Sequence, residues 1–146
     1  MRRVFGLAKG MVRKSLQRDR SSERSMEAVS RLLWPWRESR LLSLVCFLAV
    51  LDYVSTYALL ELSGKTHVYE GGSLAGWALR MGGFKGLLLV DVAAVSALLL
   101  TAVTIRFLYT RFGFKGFGRT ALVLLLAPYA VITMAAVYNN IVLALL

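Results

Sequence analysis

Polar side chains that can bind protons, cations or one another lie inside stretches that are otherwise apolar. These residues are Asp52, Ser55, Thr56, Asp91, Asn139 and Asn140. Carboxyl groups at such positions are costly and usually belong to ion or proton paths. Hydroxyl and amide groups there hydrogen-bond across helices. The residue types therefore predict either an ion pathway or a set of polar contacts that join helices.

Three apolar runs carry these residues, at about 41–62, 86–108 and 121–146. The first run has 22 residues, which as a helix is about 33 Å long, and a hydrocarbon core is roughly 30 Å thick. The chain is 58% hydrophobic, above the roughly 45–50% of soluble domains. We predict an all-α membrane protein with three transmembrane helices in one domain, residues 41–146, after a polar extension, residues 1–40.

Counting residues along the runs predicts that the six polar residues converge on the outer half of the bilayer. Asp52 would lie about 16 Å and Thr56 about 22 Å from the inner edge, and Asp91 about 7 Å from the outer edge. Two interpretations are open. The six residues are either packing contacts between helices or a small polar site open to the outer face, with Glu70 and His67 of the outer loop above it.

The extension is strongly basic, with eleven Lys or Arg residues and four acids in the first forty positions. Apolar residues recur at three- and four-residue spacing from Val4 to Leu16, which predicts a basic amphipathic helix on an anionic membrane surface. An organellar presequence is the alternative for this Arg-rich start. Ser25 is a candidate N-cap for a second short helix.

The same positive charge predicts how the chain is oriented in the cell membrane. Lys and Arg residues collect on the cytoplasmic side of membrane proteins. We therefore predict a multi-pass protein with a cytoplasmic N-terminus and an outer C-terminus. Residues 63–85 would form an outer loop, and residues 109–120 would form an inner loop. Anionic lipid headgroups are the expected partner of the basic extension.

Basic and aromatic residues alternate between Arg111 and Arg119, as in some RNA-binding strands. A short loop between two spans has no room for the sheet that such strands require. We therefore predict interfacial anchoring there and no nucleic-acid partner.

Tryptophan residues mark the expected membrane interfaces. Trp34 and Trp36 flank Pro35 just before the first span, and Trp77 lies in the outer loop. Indole rings favour the headgroup layer, and the proline disfavours a continuous helix across the junction. In the outer loop, Ser73 can cap a short interfacial helix that the Gly82-Gly83 pair would end.

The polar residues also resemble a known pattern. Asp52-Tyr53-Val54-Ser55-Thr56, the loop acid Glu70 and the late asparagines together resemble a family of uncharacterised small prokaryotic integral membrane proteins. That family has an Asp-x-x-Ser/Thr-Thr pattern in one span and a late Asn in its last span. The resemblance spans about residues 41–146 and implies a membrane protein without an assigned activity. The family's loop continues from the acid into Asn-Pro, where this chain has Gly72-Ser73.

Three functions are compatible with these features. The first is a non-catalytic accessory or scaffolding subunit that contacts other membrane subunits or copies of itself. The second is an oligomeric carrier or ion or proton conduit that uses Asp52 and Asp91. The third is an intramembrane aspartyl enzyme, disfavoured because the sequences around both aspartates lack the motifs of that class. No catalytic residue, metal site or cofactor is predicted, and the single Cys46 is interpreted as a small apolar residue.

Overall fold

The computed structural model describes residues 20–62 and 73–145, and within these ranges it contains helices and turns but no strand. The helices are α1 (residues 20–33), α2 (Glu38–Tyr57), α3 (Ser73–Arg111) and α4 (Lys115–Leu145). A π-helical turn, Ala58–Leu62, extends α2. The prediction of an all-α protein is confirmed.

Three helices are long and apolar enough to cross a membrane, over Glu38–Glu61, Gly76–Arg111 and Lys115–Leu145. Their length and composition make the chain a multi-pass membrane protein. All three apolar stretches begin earlier in the chain than predicted, because polar and glycine residues at their starts are also helical. In a bilayer a helix satisfies its own backbone groups, so polar flanking residues readily continue it.

Helix α4 lies at the centre of the bundle and packs against both α2 and α3, which contact each other less. Helices α2 and α4 begin at the same end of the bundle, and α3 runs in the opposite direction. The apolar core contains Leu41, Val45, Leu48, Ala49, Val95, Ala102, Leu122, Val123, Leu126 and Ala130. Among the described residues, two of the three fully buried leucines, Leu122 and Leu126, belong to α4, and the third, Leu41, belongs to α2.

The connection between α3 and α4 is a tight turn, and the prediction of a loop at residues 109–120 is wrong. Gly113 has a φ of 87°, which is the left-handed conformation that glycine adopts without a steric cost. The amide of Phe114 donates to the carbonyl of Tyr109, and that of Gly113 donates to Thr110. This pair of bonds is a Schellman motif, which satisfies carbonyls at the end of α3.

Helix α3 contains one break, at Gly83, whose φ of 60° and ψ of −154° are not helical. The break separates residues 73–82 from the long apolar part of α3, as the Gly82-Gly83 pair predicted. The hydroxyl of Tyr53 on α2 donates to the carbonyl of Phe84 at 3.3 Å. The C-terminal part of α2 is thereby attached to the residue that follows the break.

Helix α1 is longer than predicted, because Ser25 lies inside it. The hydroxyl of Ser25 donates to the carbonyl of Ser21 at 3.1 Å, so it does not cap the helix. Residues 34–37 are not helical, consistent with the position of Pro35. The predicted amphipathic helix between Val4 and Leu16 lies outside the described residues.

Candidate functional site in the membrane-spanning bundle

The first candidate site is a carboxyl cluster formed by Asp52 on α2, Asp91 on α3, and Tyr129 and Thr133 on α4. The Tyr129 hydroxyl lies close to that of Thr133 and within electrostatic range of both carboxyl groups. The two acids are half-buried. Two aspartates that are far apart in the chain therefore lie on the sides of their helices that face the same part of α4.

Helical periodicity explains why these side chains meet. Asp52 lies four residues after Leu48 and four before Thr56, and both of these are buried. Asp91 is likewise four residues from Leu87 and from Val95, which are buried on α3. Residues four apart share one face of a helix. The aspartates therefore occupy the faces of α2 and α3 that pack against α4.

The second candidate site is an amide cluster that joins α4 to α2. The Asn140 side chain donates from Nδ2 to the Thr56 hydroxyl at 3.0 Å and to the Ser55 hydroxyl at 3.2 Å. Ser55 in turn donates to the carbonyl of Asp52 at 3.0 Å. Both hydroxyl residues are buried. This contact is a polar bond between two of the spans.

The remaining predicted residues lie elsewhere. The side chain of Asn139 is exposed, because one residue along a helix rotates a side chain by about 100°. Trp34 is half-buried, whereas Trp36 and Trp77 are exposed. Glu70 and His67 lie outside the described residues.

Sequence reasoning missed Tyr129 and Thr133, although a signal for them existed. They precede Asn140 by eleven and seven residues, which places them on the same face of α4. A tyrosine is ambiguous in an apolar run, since its ring packs like a phenylalanine and only its hydroxyl needs a polar partner. The spacing of eleven and seven residues before Asn140 was therefore the signal that could have identified Tyr129 and Thr133.

A third group of contacts ties the beginning of the chain to the turn between α3 and α4. Arg106 on α3 donates to Glu38 at the start of α2 at 3.0 Å. On α4, Gly116 donates its amide to the Glu23 carboxylate at 3.1 Å, and Thr120 donates to the Met26 carbonyl at 2.7 Å. Helix α1 is therefore held against the first turns of α4, at the end of the bundle where α2 also begins.

The chemistry available to the carboxyl cluster is that of oxygen ligands. Carboxyl groups bind protons inside a membrane, and as oxygen ligands they suit a small cation better than a soft metal. Among residues 20–62 and 73–145, no group of three His, Cys, Asp or Glu side chains is arranged to hold a metal ion.

Replacing Asn140 by alanine is expected to weaken the contact between α4 and α2. Hydrogen bonds between transmembrane helices contribute about 0.6 kcal/mol on average and up to about 1.7 kcal/mol. Unfolding of the purified protein in mixed micelles should therefore show a loss of about 1 kcal/mol. Asn139→Ala is the matched control, because it removes the same group from an exposed position, and equal losses in both variants would contradict the assignment.

The fold and these sites define a class of protein, a small all-α multi-pass membrane protein with polar side chains between its spans. Comparison of the chain with protein-family models, curated proteins and solved structures found no match. The function is therefore inferred from the geometry.

Proposed function

We propose that this chain is a non-catalytic scaffolding subunit of a membrane assembly and that α3 contacts the neighbouring subunit. The observation that carries the proposal is the exposure of α3. Only 11% of its most apolar stretch is buried within the chain, against 28% for α2 and 39% for α4. A helix with so little covered surface supports lateral association.

The composition of the uncovered face supports the same function. Ala93, Ala97 and Thr101 are exposed on α3 at four-residue spacing. Small residues at this spacing let two helix backbones approach closely, which drives association in lipid, where apolar surface alone does not. The amide cluster then acts within the subunit, where it holds α2 against α4.

The orientation that we propose has the turn between α3 and α4 in the cytoplasm. Among the described residues, that end carries nine Lys or Arg residues and three acids, namely Arg20, Arg24, Arg31, Arg37, Arg40, Arg106, Arg111, Lys115 and Arg119, with Glu23, Glu27 and Glu38. The opposite end carries Arg80, Lys85 and Glu61. The excess of positive charge supports a cytoplasmic N-terminus and an outer C-terminus.

Enlarging the small face of α3 is expected to prevent assembly. Ala97→Leu should lower the assembled fraction at least about tenfold, equivalent to about 1.4 kcal/mol, since the added side chain separates the helices. The measurement is native mass spectrometry after gentle extraction, in which the mass identifies a second copy or a different subunit. Ala135→Leu is the matched control, because Ala135 is an exposed alanine on α4.

Two outcomes would contradict this function. A wild-type protein that is extracted only as a lone monomer has no assembly to support. An Ala97→Leu protein that assembles like the wild type would mean that α3 is not the contacting helix.

A second function, an oligomeric ion or proton conduit, is favoured by one observation. Asp52 and Asp91 are half-buried within the spans α2 and α3, and protonatable groups inside a membrane are typical of ion and proton paths. Three helices enclose too little space for a pathway, so this function also requires several copies. Proton flux in reconstituted vesicles that is unchanged by Asp52→Asn would exclude it.

A further inference from the structure

The acids at the cytoplasmic end proposed above are engaged within the protein. Glu27 pairs with Arg31 at 2.8 Å, and Glu38 pairs with Arg106 at 3.0 Å. The carboxylate of Glu23 accepts the amide of Gly116 at 3.1 Å. Within the described part of the chain, the acids of this end thus have partners within the protein and leave most of its cations without a carboxylate.

Three of these cations lie around the junction between α1 and α2. Arg37 and Arg40 are exposed one turn apart, at the start of α2. Lys115 is exposed one turn before Arg119 on α4. The guanidinium of Arg119 donates from Nη2 to the carbonyls of Trp34 and Trp36, at 2.9 and 3.1 Å. Arg119 therefore holds the start of α4 against the junction and brings the three cations to one surface.

Two tryptophan rings belong to the same surface. The rings of Trp34 and Trp36 meet edge to face, with centroids 4.9 Å apart. The indole nitrogen of Trp34 donates to the carbonyl of Arg37 at 3.1 Å, which fixes its orientation. Trp36 is 52% exposed. An ordered indole pair beside exposed cations combines the two side-chain types that favour the headgroup layer.

We propose that this surface, formed by Arg37, Arg40 and Lys115 around the Trp34–Trp36 pair, binds anionic phospholipid headgroups selectively. The partner is a lipid because the surface adjoins the membrane-spanning part of the chain. Leu41, the residue after Arg40, is fully buried in the bundle core, and Lys115 begins the apolar stretch of α4. A phosphate at the membrane surface is the anion closest to that position.

Fluorescence quenching by brominated lipids tests the proposal directly, because bromine quenches only an indole that it contacts. The protein carries Trp77→Phe, which leaves the junction pair as the only tryptophan emitters, and is reconstituted in mixed phosphatidylglycerol and phosphatidylcholine. One lipid at a time is brominated. We expect anionic lipid to be at least about fivefold enriched at the junction at low salt, and less enriched at high salt.

Charge variants separate selective binding from simple proximity to lipid. A triple variant that combines Arg37→Gln, Arg40→Gln and Lys115→Gln should bring the enrichment of anionic lipid close to one. A double variant with Arg37→Lys and Arg40→Lys keeps the charges and should retain most of the enrichment. The matched control is Arg80→Gln with Lys85→Gln at the opposite end, which should change nothing. Circular dichroism and thermal unfolding check that each protein is folded.

Three results would overturn the proposal. The first is equal quenching by the two brominated lipids in the Trp77→Phe protein. The second is enrichment that persists in the folded triple glutamine protein. The third is the same enrichment at Trp77 in a protein with Trp34→Phe and Trp36→Phe, because that result would mean that any basic end of the chain behaves alike. None of these results depends on whether α3 contacts a neighbouring subunit.

Discussion

Replacing Gly116 by alanine is expected to separate α1 from the start of α4. A Cβ atom at this position would lie 2.6 Å from the Glu23 carbonyl oxygen and 2.9 Å from the Glu23 Cγ atom. Because the nearest atom belongs to the backbone, the two helices must move apart, and overpacking of this kind costs about 1–3 kcal/mol. The same movement lengthens the bond from the Gly116 amide to the Glu23 carboxylate, which is now 3.1 Å.

The experiment combines thermal unfolding in detergent with amide hydrogen exchange in α1. Gly116→Ala should lower the melting temperature and speed exchange between residues 20 and 33. Gly82→Ala is the control, because its backbone is helical and a methyl group there would meet no atom of another part of the protein within 4 Å. Alanine is the better helix former, so the control should be neutral or slightly stabilising. Slow, unchanged exchange in α1 of the Gly116→Ala protein would contradict the docking of α1 on α4.

Truncating Leu126 is the second change expected to have a large effect, because this side chain is fully buried between α4 and its neighbours. Leu→Ala changes in protein cores cost about 2–5 kcal/mol, of which part is the lost transfer from water and part the cavity. Lipid tails are as apolar as leucine, so only the packing part applies within a bilayer. We therefore expect a loss near the lower end, about 2 kcal/mol.

Leu124 supplies the control for this substitution. It lies two residues away on the same helix and is 54% exposed, so Leu124→Ala creates no cavity and should cost much less. Unfolding in mixed micelles at several denaturant concentrations measures both variants. Similar losses at positions 124 and 126 would mean that α4 is not the central helix of the bundle.

Residue types and their spacing were sufficient to predict much of the fold. Three apolar helices, the interruption at Pro35 and the break near Gly83 are present as predicted, although each apolar helix begins earlier in the chain than expected. The length of the turn between α3 and α4 was predicted wrongly, because basic and aromatic residues between Arg111 and Arg119 resemble a loop in composition. In the structure only residues 112–114 of this segment are outside a helix: α3 ends in the Schellman turn at Gly113, and α4 begins at Lys115 and contacts α1.

The candidate sites were predicted less completely than the fold. Asp52, Asp91 and Asn140 were identified by their cost in an apolar run. Ser55 and Thr56, to which Asn140 bonds, were identified as well, but Tyr129 and Thr133 on α4 were not. The resemblance to a family of small prokaryotic membrane proteins stays a prediction, as do the roles of Glu70 and His67.

Hydrophobicity and charge, read from the sequence alone, determined that this protein is an all-α membrane protein. The helix is the structure in which a single long apolar segment can satisfy all of its own backbone groups within a bilayer. Only the tertiary structure decided which side of each helix faces inward, and hence that Asn140 bonds to α2 whereas Asn139 is exposed. The physical reason is that a helix surrounded by lipid is apolar on every side, so its sequence carries little information about its rotation.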